Sequence, residues 1–283
     1  MSLTSLLNKP DIKKTFKEYF PKPEINQTNK LLAPPITKNY ALVGTSFDYL
    51  LRFKIENINK TVIKTPWIAS ESISILKKYG KLIADEKKIK NTISIIEIML
   101  RDAENDYRKY LKTGKINDKL IESSIKLGQI DIICRAGKIP DNLNIVEKAD
   151  IKDIKNLIKI VDPQLFKSKD ICILNPEFGK ASELVGGADA DIIIDDTLID
   201  IKTTKNLKLN RNYYNQLIGY YILNKIGKID GLNKKININN VGIYFSRHGF
   251  LFQIPVSQFN KGNKFKEFIK WFKKEADNPL NII

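Results

Sequence analysis

The chain has 283 residues, enough to bury a substantial core as one large domain or two modest ones, and its 42% hydrophobic and 28% charged content is ordinary for a globular protein. Lys and Arg outnumber Asp and Glu to give a net charge of +16 and a pI near 9.5, which suits a polyanionic partner, although a chain this rich in Lys, Ile and Asn would be basic in part from composition alone. No apolar run approaches the roughly 18 residues of a membrane span, Met1 to Lys13 lacks the apolar core of a signal peptide, and the single histidine, His248, excludes a histidine-built zinc site or a Ser-His-Asp triad, so a cytoplasmic protein without membrane contact is expected.

In chain order, Asp11 to Phe20 reads as a short amphipathic helix stopped by Pro21. Pro21, Pro23, Pro34 and Pro35 then make residues 21 to 39 an irregular connection. A helix is expected from Tyr40 to about Asn57, and Pro66-Trp67 introduces another from Ser70 to Tyr79. Ile89, Ile93, Ile96, Leu100, Tyr107 and Leu111 recur at helical spacing until Gly114, and Asn117 is placed to cap a second long helix carrying Leu120, Ile121, Ile125, Leu127 and Ile130, closed by Gly137 and Pro140. Such stripes are core faces, and they predict a helical lobe at about 66–140 within a mainly helical region 40–145, after an N-terminal segment 1–39.

Beyond a helix at Val146 to Ile160 the pattern changes to short strands: Ile171 to Leu174, Glu183 to Val185, Ile192 to Ile194 and Leu198 to Ile201. A helix at Asn210 to Ile226, a late hairpin of Val241 to Phe245 with Phe250 to Ile254, and a closing helix at Phe265 to Phe272 complete the chain. The fold class expected for 146–283 is α/β, a mixed central sheet flanked by helices. Cys134 and Cys172 lie far apart in apolar surroundings and read as packing residues rather than a disulfide. His248 falls at the late hairpin's turn.

The chemistry concentrates in one hairpin. If Asp195-Asp196 forms a two-residue turn, Ile194 faces Thr197, Asp191 faces Asp200 and Asp189 faces Lys202, and alternation sets all four charged side chains on one face. A slip of one residue would destroy this arrangement. Carboxylates so close repel one another unless a cation joins them, and hard oxygen ligands select Mg²⁺ or Mn²⁺. Lys202 would then stand beside the metal, where an ammonium offsets phosphate charge or its free base deprotonates water. A solvated polar hairpin is the ordinary reading of Asp-x-Lys by itself. Of the other acids nearby, Glu177 follows a proline and is expected to be exposed, while Glu183, on a short preceding strand, is the better placed for a metal.

Asp200-Ile201-Lys202, together with Gly186-Gly187-Ala188-Asp189-Ala190-Asp191, resembles the PD-(D/E)XK nuclease superfamily, closest to its RecB-like branch. The resemblance implies a restriction-endonuclease-like core in which a first-strand Asp and Asp200 bind divalent metal and Lys202 is catalytic. Asp189 fits the branch's G-x-x-D spelling through Gly186, whereas Asp191 lies opposite Asp200; Asp191 is taken as the nearer ligand and Asp189 as a second. Gln216-Leu217-Ile218-Gly219-Tyr220 resembles the branch's Q-x-x-x-Y signature, whose two polar side chains share a helical face and would position the lysine or a nucleotide. A helix packing Tyr213, Leu217, Tyr220 and Tyr221 as core is the plainer alternative.

Gly44-Thr45-Ser46-Phe47-Asp48-Tyr49-Leu50-Leu51 resembles the segment G-x-x-x-H-x-x-L, with Asp48 in place of the metal-binding His. Asp48 is a ligand candidate on that ground, and a solvent-facing Asp is its alternative. Two cysteines cannot supply the four that hold an iron–sulfur cluster in some members, so no cluster is expected. Lys205, Lys208 and Arg211 follow the catalytic strand and are expected to contact phosphates. The resemblance covers about 171–223 plus the N-terminal piece. It implies a metal-dependent nuclease acting on DNA in repair, recombination or defence. A silent nucleic-acid-binding module, anchoring protein partners of a repair or defence complex, and a restriction-type endonuclease are the alternatives; oligomeric state stays open.

Overall fold

The computed structural model describes residues 2–278. Its elements run α1 (Leu3–Leu7), α2 (Pro10–Tyr19), α3 (Tyr40–Ile58), β1 (Ile63–Lys64), α4 (Ser72–Tyr79), α5 (Glu86–Thr113), α6 (Asp118–Ala136), α7 (Lys148–Lys159), β2 (Cys172–Leu174), α8 (Lys180–Leu184), β3 (Ile192–Ile194), β4 (Thr197–Lys202), α9 (Arg211–Ile226), β5 (Asn240–Phe245), β6 (Phe250–Pro255) and α10 (Gly262–Ala276). The strands form one six-stranded sheet in the order β1-β2-β3-β4-β5-β6. β1 with β2 and β4 with β5 are parallel, and the other neighbours are antiparallel. Among the described residues no helix is long and apolar enough to cross a membrane.

The uninterrupted Ile192-Ile193-Ile194 run is explained by cover on both faces, which removes the need for polar alternation. Ile193, Leu198, Val241 and Ile243 join a cluster with Leu6 of α1, Phe16 of α2, Leu217 of α9 and Phe268 of α10. Ile192, Ile194 and Ile199 join a second cluster with Phe47 of α3, Ile96 of α5, Ile125 of α6 and Leu157 of α7. Truncating any of these fully buried isoleucines to Ala would cost about 2–5 kcal/mol. β1 comes from within 40–145, so that stretch contributes a strand to the sheet as well as its helices.

The central hairpin closes in the expected register, with Ile194 opposite Thr197. Asp195 supplies the left-handed turn residue at φ 52°. Its carboxylate accepts the backbone N–H groups of Lys169, Asp170 and Ile171, and these outweigh burial to hold its pKa below the ordinary value. Asn117 and Asn210 cap α6 and α9 through N–H bonds from Leu120 and Tyr213.

The expected strand at Glu183 to Val185 is replaced by the short helix α8. Ser182 explains the difference: its Oγ accepts from Phe178 N and donates to Ala188 O, closing the segment on itself, and Gly186 and Gly187 at positive φ turn the chain back. Unforeseen as well is α1, where Ser2 caps a turn that buries Leu3, Leu6 and Leu7.

Helices α3 and α6 cross closely at Gly128, where a Cβ would fall 2.7 Å from Ser46 Oγ. Elsewhere, Arg247 and Asp153 form a bidentate pair at 2.8 and 3.2 Å with both side chains 1% exposed. Arg247 also donates to Ala33 O, and Asp153 accepts from Ile36 N, so this pair ties the proline segment to the sheet. His248 is buried, with its ring nitrogens 3.2 Å from the carbonyls of Lys30 and Lys205.

Candidate active site

A cleft of about 280 Å³ opens at the carboxyl end of β4, between α1 and α9 on one side and α3 and α6 on the other. Its charged lining among the described residues is Asp48, Asp189, Asp191 and Asp200 against Arg135 and Lys202. Strand parity sets Asp200 and Lys202 on the same side as Leu198, facing α9. β3 begins at Ile192, one residue past Asp191, and the Asp191 carboxylate turns across to accept the Ile201 N–H at 2.6 Å.

Asp200 is 2% exposed, and Lys202 Nζ lies 2.7 Å from its Oδ2. The same ammonium donates to Gln216 Oε1 at 3.0 Å and sits 5.1 Å from the centroid of the Tyr213 ring. Gln216 in turn donates to the Tyr220 hydroxyl at 2.9 Å. Residues four apart on α9 thus hold the lysine of β4 in place. Tyr220 and Leu217 are also core residues, so the plainer reading of this helix describes the same side chains.

Asp48 reaches the cleft from α3, one turn after Gly44, which also lines it. Arg52 pairs with Asp48 Oδ2. Asp189 departs from the expected register. It bridges antiparallel to Glu177 instead of facing Lys202, and its carboxylate lies 3.3 Å from Arg135. Glu183 is exposed on α8 and lines a neighbouring acidic cleft with Glu177 and Asp230. Lys205 and Lys208 are exposed outside the Asp200 cleft, and Arg211, also outside it, donates one N–H to the Phe20 carbonyl. Cys134 and Cys172 are free thiols.

Burial and the neighbouring Asp200 and Asp48 push the Asp191 carboxyl well above the ordinary carboxylate value. Burial likewise raises Asp200, with Lys202 opposing, and raises Asp48, with Arg52 opposing. For Lys202, burial works against the ammonium, but Asp200 and Asp191 outweigh it and raise its pKa. Protein cations alone leave this cluster under-compensated. Asp48 Oδ1 is buried without a hydrogen-bond partner, and so is Asp200 Oδ2, whose contact with Lys202 lies outside hydrogen-bond geometry.

Among the described residues no group of three or more His, Cys, Asp or Glu side chains is gathered to hold a metal ion. Asp191 and Asp200 nevertheless fit a hard divalent cation in donor type, because Mg²⁺ commonly takes only one or two carboxylates and fills its remaining positions with water. Compared with family models, curated proteins and solved structures, the chain matches none. Sequence reasoning missed Arg135 and Arg52, and it missed Thr4 of α1, whose Oγ1 lies 3.5 Å from Gln216 Nε2. An Asp131–Arg135 pair at helical spacing of four was visible in the sequence; its location beside the hairpin was not.

Proposed function

We propose that this cleft is the active site of a divalent-metal-dependent deoxyribonuclease with a restriction-endonuclease-like core of the RecB-like type, acting in the cytoplasm in repair, recombination or defence. The reading rests on one observation: Lys202, ion-paired to Asp200 beside Asp191, is held by Gln216 and through it by Tyr220, groups that come from separate segments of the chain. Asp191 and Asp200 would hold Mg²⁺ or Mn²⁺, with Asp48 Oδ1 as a further oxygen. A cation held there would supply an activated water and charge stabilisation at the scissile phosphate.

The chain's own residues do the rest. Lys202, its pKa raised, stays an ammonium and offsets negative charge gathering on the phosphate in in-line attack. Gln216 fixes the direction of its Nζ, and Tyr220 fixes Gln216. Tyr213 under the ammonium limits its solvent-side motion. Purified protein incubated with end-labelled duplex and single-stranded DNA, with Mg²⁺, Mn²⁺ or EDTA, tests the reading. Cleavage should need the metal and should vanish in Asp200→Ala and Lys202→Ala; cleavage that survives both substitutions overturns the assignment.

A catalytically silent DNA-binding module of the same fold is the second reading, favoured by Asp191 Oδ2 and Asp200 Oδ2 being engaged already by the Ile201 N–H and the Lys202 ammonium. Metal-dependent thermal stabilisation separates the two. The nuclease gains melting temperature from Mn²⁺ and loses that gain in Asp191→Ala, whereas the silent module shows no gain.

A further inference from the structure

The mechanism above leaves one cation of the cleft without a task. Arg135 stands on the last turn of α6 with its side chain 52% exposed. One edge of its guanidinium is fixed: Nε donates at 2.6 Å to Oδ1 of Asp131, whose side chain is 2% exposed and whose Oδ2 accepts the Tyr49 hydroxyl at 2.9 Å. The other edge is held loosely. Nη2 is 3.3 Å from Asp189 Oδ2, well beyond the ~2.7–2.9 Å of a good charge-assisted bond. Asp189 is itself 25% exposed in the cleft and lies outside β3.

A phosphodiester entering here meets four carboxylates and two cations among the described residues, and Lys202 is already 2.7 Å from Asp200. Arg135 is the group with donors to spare, since a guanidinium has five N–H bonds in a planar fork that matches two phosphate oxygens. We propose that Arg135 is the substrate's phosphate clamp, oriented by Asp131, and that Asp189 occupies its open edge until a nucleic-acid phosphate displaces it. The substrate class rests on the nuclease reading; the clamp itself needs no metal.

Binding of fluorescein-labelled single-stranded and duplex DNA to the full chain, followed by anisotropy in EDTA, tests the clamp apart from catalysis. Arg135→Lys keeps a charge against buried Asp131 but loses the fork. It should bind on the order of tenfold more weakly, as expected for one charge-assisted hydrogen bond, with the salt slope little changed because the cation is kept. Asp189→Asn should bind about two- to fivefold more tightly, because the competing charge is gone, and Asp189→Asn combined with Arg135→Lys should bind no better than Arg135→Lys alone. Loss of the Asp189 charge alone favours a polyanion whatever Arg135 does, so a structural Arg135 would leave the Asp189→Asn gain intact in the Arg135→Lys background, and the clamp abolishes it there.

Wild-type affinity in Arg135→Lys with an unchanged melting temperature overturns the clamp, as does weaker binding in Asp189→Asn or a wild-type chain that binds neither DNA. If the variants behave as stated and Mg²⁺ or Mn²⁺ brings no cleavage, the nuclease reading falls and the clamp stands. If metal-dependent cleavage occurs with Arg135→Lys affinity unaltered, only the clamp falls.

Discussion

Two groups of buried charges lie in this molecule, and they are built on opposite terms. Around Arg247 and Asp153 each charge meets its opposite in a bidentate pair, and Ala33 O and Ile36 N complete the bonding. Around Asp200, carboxylates outnumber cations, Asp48 Oδ1 and Asp200 Oδ2 lack hydrogen bonds, and burial with mutual repulsion raises the pKa of Asp191. A charge cluster that serves the fold closes its own accounts, because an unpaired buried charge is costly. One that is left open carries a standing free-energy cost that a ligand of the right sign relieves.

The sharpest way to break this contrast is at Lys202. Lys202→Met should lower metal-dependent DNA cleavage by roughly 10²–10⁴-fold, about 2.7–5.5 kcal/mol of transition-state stabilisation, and should also lower the melting temperature in EDTA, because buried Asp200 loses its cation. Single-turnover rates with saturating enzyme measure the first quantity and a thermal melt the second. At the satisfied pair the loss falls on the fold alone. Arg247→Met strands Asp153 and should cost about 3–5 kcal/mol in urea unfolding, with no dependence on added metal.

A smaller effect comes from pH. The folded-state pKa of Asp191 is raised, so its contribution to stability is fully present below the ordinary carboxylate range and is lost as pH rises through the raised value. In EDTA, wild type should therefore lose stability relative to Asp191→Asn as pH climbs from about 4, by at most about 1.4 kcal/mol per unit for this group. Saturating Mn²⁺ should erase the difference, and urea titrations across pH would show it. The least effect is expected at Tyr220→Phe, which removes one hydrogen bond to Gln216 worth about 0.5–1.5 kcal/mol and should slow cleavage by about tenfold at most.

Much of the contrast was legible in the sequence because it is local. Asp195-Asp196 between isoleucine runs sets the hairpin register, and that register places Asp200 and Lys202 on one face with Asp191 beside them. Spacing of four brings Gln216 and Tyr220 together, as expected. Alternation failed at Asp189 because β3 starts at Ile192 and the chain before it bends to pair with Glu177. Glu183 was misplaced on a strand because period-two reasoning cannot see Ser182 tying its own backbone into a helical turn.

Asp48 was named only through the resemblance of its segment and Arg135 not at all, because both depend on tertiary approach. They reach the cleft because α3 and α6 cross at Gly128, and nothing in either helix alone announces that crossing. α1 escaped notice for a related reason: five residues are too few for a periodic signal, and its helix is held by packing of Leu3 and Leu7 against α9 at Gly219.

That short helix has a practical consequence. Ser2, Leu3 and Thr4 form part of the cleft wall, and Leu3 N donates to Gly187 O at 3.0 Å. Any purification handle or fluorescent fusion joined ahead of Ser2 would emerge at the rim of the cavity and compete with whatever enters it. A leader joined there should be removed before any turnover is measured.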